Sequence, residues 1–217
     1  MKKCLILANG NPPKKSVINY LFSKGYDTLY CADGGANSAF KLKVIPDYII
    51  GDLDSIKSDV KKYYSDRSKI IKYSRQNDTD VEKCLKHAIG KGYKEAVLLG
   101  GTGDRLDHSF CNLGIVLKFF DKINIKVVHQ SSVLEALNGE VKLNTIPGET
   151  ISLYGFDRKT KITSKGLKYP LKNISLPFGE RESTSNKATS QIVNLKISGG
   201  KIFIVRQFEV LRKHDLF

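Results

Sequence analysis

Short apolar runs alternate with amphipathic segments through the first half of the chain. The runs are rich in Ile, Leu and Val and too short for helices, so they are predicted to be buried strands at 3–8, 28–32, 48–50, 69–72, 95–99 and 126–129. Between them, apolar residues recur at helical spacing in segments 16–24, 80–89 and 108–119. This alternation indicates an α/β domain with a mostly parallel sheet and flanking helices.

The pattern changes after about Gln130. Strand-like segments follow one another at 133–137, 140–143, 150–154, 160–163, 192–197 and 201–205, with turn signals between them and no convincing helix. Gly199-Gly200, between two β-branched runs, predicts a hairpin loop. We therefore expect residues 1–132 to form the α/β domain and residues 133–217 a smaller all-β, sandwich-like domain.

Composition excludes several classes of protein. Of the 217 residues, 41% are hydrophobic and 27% charged, as in ordinary globular proteins. No stretch approaches the ~18 consecutive apolar residues of a membrane span. The apolar run that begins at Cys4 is shorter than the ~7 to 15 residues of a signal peptide, and the four cysteines form no Cys-x-x-Cys pair. We expect a cytoplasmic protein with no membrane partner, disulfide framework or zinc site.

The net charge is strongly positive. Lys and Arg number 36 and Asp and Glu 22, which gives +14 at pH 7 and favours an anionic partner such as nucleic acid, acidic lipid or a phosphorylated metabolite. The lysines are spread along the whole chain rather than gathered in the dense basic tail of a nucleic-acid-binding arm. The net charge by itself therefore does not distinguish between these partners.

Carboxylates recur in the loops that follow the predicted strands, where open α/β sheets bind their ligands. The loops are ADGGAN at 32–37, GDLDS at 51–55, QNDTD at 76–80 and GGTGDRLDH at 100–108. Each alone is explained by turn and capping chemistry, but four in series predict a site for a divalent cation and a phosphate chain. Mg²⁺ is usually held by one or two carboxylates plus substrate phosphates, and glycines let backbone N–H groups approach phosphates.

Other catalytic motifs are missing from the sequence. It contains no Gly-x-x-x-x-Gly-Lys-Ser/Thr loop, no complete Gly-x-Gly-x-x-Gly fingerprint and no Gly-x-Ser-x-Gly elbow. The cysteines lack a partner base nearby in sequence, so covalent catalysis has no candidate nucleophile. Walker-type and dinucleotide-binding sites therefore lose support.

The order of the motifs resembles that of thiamin pyrophosphokinases. The matching segments are ADGGAN at 32–37, PDxxxGDLDS at 46–55, DTD at 78–80, GGTGDRLDH at 100–108 and STSN at 183–186. The resemblance implies transfer of a pyrophosphoryl group from ATP to the hydroxyl of thiamin, giving thiamin diphosphate and AMP. It also implies a homodimer, in which the β domain of one chain helps to bind the vitamin near the nucleotide site of its partner.

The resemblance further implies roles for individual residues. Asp52, Asp54 and Asp80 match the Mg²⁺-binding carboxylates and, with Arg105, form the expected catalytic set. Substrate contacts are expected from Asp33, Gln76, Asp78, Thr79, Gly100, Gly101, Thr102, Asp107, His108, Tyr169, Ser183, Ser185 and Asn186. His108 is either a substrate contact or a structural residue. Tyr169 stands where the family often has Trp, and it either stacks on the cationic vitamin or packs within the β domain.

The implied mechanism is an in-line attack of the thiamin hydroxyl on the β-phosphorus, with AMP leaving and Arg105 assisting Mg²⁺ in offsetting charge. A free carboxylate of the cluster would take the hydroxyl proton. Two alternatives stay open. A pyrophosphokinase for a pterin alcohol would not need this β domain, and a basic nucleic-acid-binding protein fits the charge but not the carboxylate-rich loops. We expect ATP and thiamin as substrates and no nucleic acid partner.

Overall fold

The computed structural model describes residues 1–74, 77–103 and 105–217. Contacts divide the chain into two compact units, Met1–His129 and Gln130–Phe217. The boundary predicted from the sequence, after residue 132, lies three residues later and falls inside the strand Ser132–Asn144. Among the described residues, no helix combines the length and the apolar character needed to cross a bilayer.

The first unit is a six-stranded parallel sheet with helices between successive strands. In chain order its elements are β1 (Lys3–Leu7), α1 (Lys15–Ser23), β2 (Thr28–Ala32), α2 (Gly35–Lys41), β3 (Tyr48–Gly51), α3 (Ser58–Tyr64), β4 (Lys69–Lys72), α4 (Asp80–Gly90), β5 (Glu95–Leu99), α5 (Leu106–Lys118) and β6 (Asn124–His129). The strand order is β6-β5-β1-β2-β3-β4, and every neighbouring pair is parallel. The sheet therefore reverses its winding direction between β1 and β5.

The strand predictions for this unit are confirmed, because each predicted strand overlaps an observed one with ends that differ by two residues at most. The inner strands are continuous apolar runs because both faces of the sheet are covered; in β1, Cys4–Leu7 are fully buried. The sequence predicted α1, α4 and α5 but not α2 and α3. Those two helices have seven residues each and bury few side chains, which leaves too short a periodic pattern to detect.

The second unit is a β domain organised around one long strand. Its elements are β7 (Ser132–Asn144), β8 (Thr150–Tyr154), β9 (Lys161–Lys165), β10 (Ser183–Lys187), β11 (Ile192–Gln207) and α6 (Phe208–Lys213). β11 pairs antiparallel with β7 along its length. Its first half also pairs with β9 and its second half with β8, and β10 pairs with β8. Alternate residues of β11 point into an aliphatic core.

The predicted hairpin at Gly199-Gly200 is wrong. β11 continues through both glycines, and its register against β7 shifts between Ile197 and Ile202. Gly199 has a φ of 80°, a conformation that L-residues with side chains rarely adopt. β11 pairs with β9 before this irregularity and with β8 after it. The expectation of no helix in this half is also wrong, since α6 follows β11 directly.

His87 makes the stability of the first unit depend on pH. Its ring lies 4.9 Å from that of Tyr48 between centroids, and its Nδ1 is buried without a hydrogen-bond partner among the described residues. Burial, with the charges of Lys91 and Lys69, lowers the pKa of His87. Below about pH 6.5 the unfolded chain takes up a proton that the folded chain resists. The free energy of unfolding should therefore fall as the pH drops.

We expect His87→Phe to remove part of this pH dependence. Urea unfolding of the native protein and the variant at about pH 7.5 and pH 5.5 measures the difference. Comparison of the two proteins cancels the contributions of the other titrating groups. An equal loss of stability in both proteins would show that His87 is not the group responsible.

Candidate functional site

A cavity of about 610 Å³ lies at the carboxyl ends of the strands in the first unit. The loops after β1, β2, β3 and β5 surround it, together with the first turns of α4 and α5. The sheet reverses its winding direction between β1 and β5, and open α/β sheets bind their ligands outside the carboxyl ends of the strands at such a point. The predicted site residues that line it are Asp33, Asp52, Asp78, Thr79, Asp80, Gly100, Gly101, Thr102, Arg105, Asp107 and His108.

Three carboxylates from different elements meet in this cavity. Asp33, Asp52 and Asp80 each offer an oxygen, and these oxygens lie within 4.8 Å of one another. Gly51 makes the approach possible, because a Cβ there would lie 2.7 Å from the Cβ of Asp33 and 3.1 Å from Oδ1 of Asp80. Oδ1 of Asp52 is buried and has no hydrogen-bond partner among the described residues. An unsatisfied buried carboxylate oxygen of this kind fits a cation ligand.

Asp33 organises the loop that follows β3. It is 2% exposed, and its two carboxylate oxygens accept hydrogen bonds from the backbone N–H groups of Ser55, at 2.9 Å, and Ile56, at 3.1 Å. Burial and the nearby charge of Asp80 raise the pKa of Asp33, although the two backbone donors act in the opposite direction. Because both its oxygens are engaged, Asp33 holds the loop that carries Asp52.

Asp54 differs from the other three aspartates. It is exposed, and it is not among the described residues that line the cavity or form the three-carboxylate cluster. Hydrogen bonds from Ser55, whose Oγ lies 2.9 Å away, and from Asp33 lower the pKa of Asp54. The three clustered carboxylates are thus Asp33, Asp52 and Asp80, and Asp54 lies beside them, within hydrogen-bonding reach of Asp33 and Asp52.

Lys83 is a cavity residue that the sequence reasoning missed. Its Nζ lies 2.7 Å from Oδ1 of Asp80, and its side chain is only 6% exposed. Burial acts to lower the pKa of Lys83, but the hydrogen bond and charge of Asp80 outweigh it, so the pKa is raised. The signal was present in the sequence: Asp80 and Lys83 are three residues apart on α4, and residues at that spacing share a helix face.

The loop after β1 also lines the cavity, although the sequence did not predict it as part of the site. Gly10 N donates to the carbonyl oxygen of Gly100 at 2.8 Å, which joins this loop to the one after β5. A Cβ on Gly10 would lie 2.5 Å from the carbonyl oxygens of both Gly100 and Thr102, so the two backbones can approach only because Gly10 lacks one. Asn9-Gly10 directly follows a buried strand, the same signal that identified the other loops.

Two side chains fix the glycine-rich loop after β5 from neighbouring elements. Asn112 on α5 is buried, and its Nδ2 donates to the carbonyl oxygen of Gly101 at 2.6 Å. Thr102 Oγ1 shares a hydrogen bond of 2.5 Å with Nδ1 of His129 at the end of β6. These two hydrogen bonds hold the backbone of Gly101 and the side chain of Thr102. Neither Asn112 nor His129 lies in a motif that the sequence analysis recognised.

Two predicted site residues, Thr79 and Asp78, form local contacts at the start of α4. Thr79 is the N-cap and forms a capping box with Glu82, in which Thr79 Oγ1 accepts from Glu82 N at 3.3 Å and Glu82 Oε2 accepts from Thr79 N at 3.0 Å. Asp78 forms an ion pair with Lys86 at 2.6 Å. Gln76, predicted to contact the nucleotide, lies outside the described residues.

Arg105 and Asp107 form an exposed pair at the start of α5. Arg105 Nε donates to Oδ1 of Asp107 at 3.1 Å, and its Nη2 to Oδ2 at 2.5 Å. This contact lowers the pKa of Asp107 to about 2. The guanidinium therefore keeps its charge at the cavity, in a place where an incoming anion can compete with the carboxylate. His108 follows at the same cavity edge and is exposed.

Asn186 in the second unit holds the backbone of Tyr169. It is 2% exposed, accepts from Tyr169 N at 3.1 Å and donates to Tyr169 O at 2.8 Å. Its amide also donates to Ser183 Oγ at 3.1 Å and accepts from Lys187 N at 2.9 Å. All of its hydrogen-bonding capacity is thus used within the unit, where Asn186 holds the backbone of Tyr169.

Tyr169 itself is 62% exposed. The ammonium of Lys168 lies 5.6 Å from the centroid of its ring, so one cation already lies near the ring. Ser185, next to Asn186, has a φ of 57°, and its backbone N–H donates to Ser152 Oγ at 3.0 Å. A register shift between Ser183 and Asn186 accompanies this conformation. The packing alternative for Tyr169 loses support because the side chain is largely in solvent.

Comparisons with known proteins match both parts of the chain to one family. Residues 21–129 match the family model "Thiamin pyrophosphokinase, catalytic domain", and residues 139–202 match "Thiamin pyrophosphokinase, vitamin B1 binding domain". Thiamin pyrophosphokinase 1 of Caenorhabditis elegans is 30% identical over 80% of this chain and 76% of its own length. Thiamine pyrophosphokinase of Bacillus subtilis is 26% identical over 95% of this chain and 99% of its own.

Solved structures show the same fold. Thiamin pyrophosphokinase from Candida albicans superposes with a TM-score of 0.82 at 21% identity, over 95% of this chain and 88% of that one. The enzyme from Geobacillus thermodenitrificans gives 0.79 at 25% identity, over 95% and 97%. The match to a vitamin B1 binding domain favours thiamin over a pterin alcohol or a nucleic acid. The chain therefore belongs to the thiamin pyrophosphokinase family and is an ATP-dependent diphosphotransferase that acts on thiamin.

Proposed function

We propose that the cavity of the first unit binds ATP together with Mg²⁺, and that Tyr169 in the second unit contacts the vitamin. The observation that carries the proposal is the cluster of Asp33, Asp52 and Asp80, with its unsatisfied buried oxygen on Asp52, beside a glycine-rich loop. Carboxylates are hard oxygen ligands that suit Mg²⁺, and the free space of the cavity leaves room for phosphates and water. The donor set therefore fits the metal.

We assign Asp52, Asp54 and Asp80 to the metal and Asp33 to the support of the loop that carries Asp52 and Asp54. Both oxygens of Asp33 already accept backbone hydrogen bonds, whereas Asp54 accepts from its neighbour Ser55 and is exposed to an incoming ligand. When bound, Mg²⁺ supplies positive charge that offsets the charge of the phosphate oxygens. The protein contributes a preformed arrangement of carboxylates in which the metal and the nucleotide meet.

The remaining catalytic work is to position the substrates. The thiamin hydroxyl attacks the β-phosphorus in line and AMP leaves. The loop from Gly100 to Thr102 presents its backbone to the phosphates, and Asn112 and His129 hold the loop in place through hydrogen bonds. Arg105 turns from Asp107 to the phosphates and offsets the charge that develops on them.

An assay of AMP release tests the proposal. ATP, Mg²⁺ and thiamin together should give AMP and thiamin diphosphate in equal amounts. Omitting thiamin, or replacing Mg²⁺ with excess chelator, should stop the release. A hydroxymethyl pterin in place of thiamin serves as the matched alternative substrate. Release of AMP with the pterin but not with thiamin, or of ADP as the nucleotide product, would contradict the assignment.

We also propose that the chain is a homodimer. Leu106 and Phe110, one turn apart on α5, are 78% and 68% exposed, and large apolar side chains grouped on a surface are typical of an interface. We expect light scattering at assay concentrations to give twice the chain mass of 24.2 kDa. Phe110→Glu should shift the protein toward monomer. A native enzyme that is active and purely monomeric would contradict this proposal.

We place the enzyme in the cytoplasm. Its four cysteines, all in the described part of the chain, carry free thiols. Unpaired thiols are typical of a reducing compartment. Localisation of a tagged chain in its native cell tests this directly.

Replacing Tyr169 with Ala should weaken thiamin binding while ATP binding hardly changes. A cation–π contact contributes about 0.5 to 1 kcal/mol at an exposed site and about 2 kcal/mol when the bound ligand excludes water, so the KM for thiamin should rise several-fold. Phe178→Ala is the matched control, because Phe178 is an aromatic residue of the same unit with 68% exposure. Thermal melting measures stability in parallel. A fall in melting temperature with an unchanged KM for thiamin would make Tyr169 a packing residue instead.

A further inference from the structure

Lys83 brings a buried positive charge into the carboxylate cluster. Two cationic residues line the cavity in the described part of the chain, and they differ in environment. The side chain of Arg105 is 66% exposed and paired with Asp107, whereas that of Lys83 is 6% exposed and contacts Asp80 at 2.7 Å. A buried ammonium is costly unless it compensates another charge. Its presence here therefore requires a reason beyond the packing of α4.

The charge balance of the cavity supplies the reason. Three carboxylates whose oxygens lie within 4.8 Å repel one another and repel a triphosphate. Lys83 offsets one of these negative charges and holds Asp80 in the cluster through a charge-assisted hydrogen bond. The same ammonium competes with a divalent cation for Asp80 and repels it. Its effects on the binding of metal and of ATP therefore have opposite signs.

We propose that Lys83 is a positioning and charge-balancing residue of the reaction. It favours the binding and turnover of ATP and weakens the binding of the free divalent cation. The inference rests on the cation site proposed above. A residue needed only for the stability of α4 would, when replaced, weaken the binding of metal and of ATP together.

The test compares neutral and charged replacements of Lys83. Lys83→Met removes the charge and keeps the length of the side chain. Lys83→Gln keeps a hydrogen-bond donor without charge and serves if the Met variant does not fold. Lys83→Arg restores the charge. Lys91→Met removes an exposed lysine directly after α4 and is the control. Circular dichroism checks the fold of each variant.

Two quantities are measured on every variant. Mn²⁺ binding without ATP, followed by electron paramagnetic resonance, should become about fivefold tighter in Lys83→Met and Lys83→Gln. At saturating Mg²⁺ the kcat/KM for ATP should fall at least about tenfold in the same variants. Lys83→Arg should recover most of this loss, and Lys91→Met should match the native protein in both measurements.

The outcomes separate this inference from the proposal on which it rests. Weaker Mn²⁺ binding in the neutral variants, or an unchanged kcat/KM for ATP, would overturn the role of Lys83. Asp52→Asn is included in the Mn²⁺ titration for the cation site itself. If it binds Mn²⁺ as the native protein does, the cation site is wrong. If it loses Mn²⁺ while the Lys83 variants behave as the native protein, only the inference fails.

Discussion

Asp52→Asn should lower the turnover of the enzyme at least about 100-fold without unfolding it. The buried Oδ1 of Asp52 has no hydrogen-bond partner in the described part of the chain, so its charge is free for a cation. An amide has nearly the same shape but supplies no negative charge to hold Mg²⁺. The rate of AMP release at saturating Mg²⁺ measures the effect.

The same variant should be at least as stable as the native protein. Removing one of three clustered carboxylates relieves repulsion, so its melting temperature should stay level or rise. Asp66→Asn is the control, because Asp66 has an exposed side chain and pairs with its neighbour Arg67. Near-native turnover of Asp52→Asn, or a large loss of stability, would remove Asp52 from the metal site.

Arg206→Met should destabilise the second unit by about 3 to 5 kcal/mol in the free energy of unfolding. Arg206 and Glu149 are 7% and 0% exposed, with Nε and Oε1 2.7 Å apart. Nη2 of Arg206 donates to the other oxygen of Glu149 at 2.9 Å and to the carbonyl oxygen of Asn144 at 2.7 Å. Without the guanidinium, Glu149 is left buried and unpaired, which is the main source of the loss.

Urea unfolding of three variants measures this effect. In addition to Arg206→Met, the double variant Arg206→Met/Glu149→Leu removes both charges and should recover much of the stability. Arg158→Met breaks the exposed pair with Glu180 and should cost about 1 kcal/mol or less. A double variant as unstable as the single one would show that packing around Arg206, rather than an unpaired Glu149, causes the loss.

The sequence alone predicted the architecture wherever local pattern specifies structure. Each apolar run of the first half became a parallel strand, because strands covered on both faces must be apolar throughout. The pattern failed where tertiary pairing overrides local signals. Gly199-Gly200 reads as a turn, yet the strand passes through it because β7 pairs with β11 on both sides of the register shift.

The carboxylates of the site could likewise be predicted from their place after each strand, because parallel strands bring their carboxyl ends to one edge of the sheet. Which of them meet was decided by the tertiary structure. β1 lies beside β5, which joins Gly10 to Gly100. β3 lies beside β2, which lets Asp33 accept a hydrogen bond from the loop that carries Asp52. Hydrophobic periodicity reports which face of an element is buried but not which element it packs against. Partners far apart in sequence, such as Asn112 with Gly101 or Asn186 with Tyr169, therefore became visible only in the folded chain.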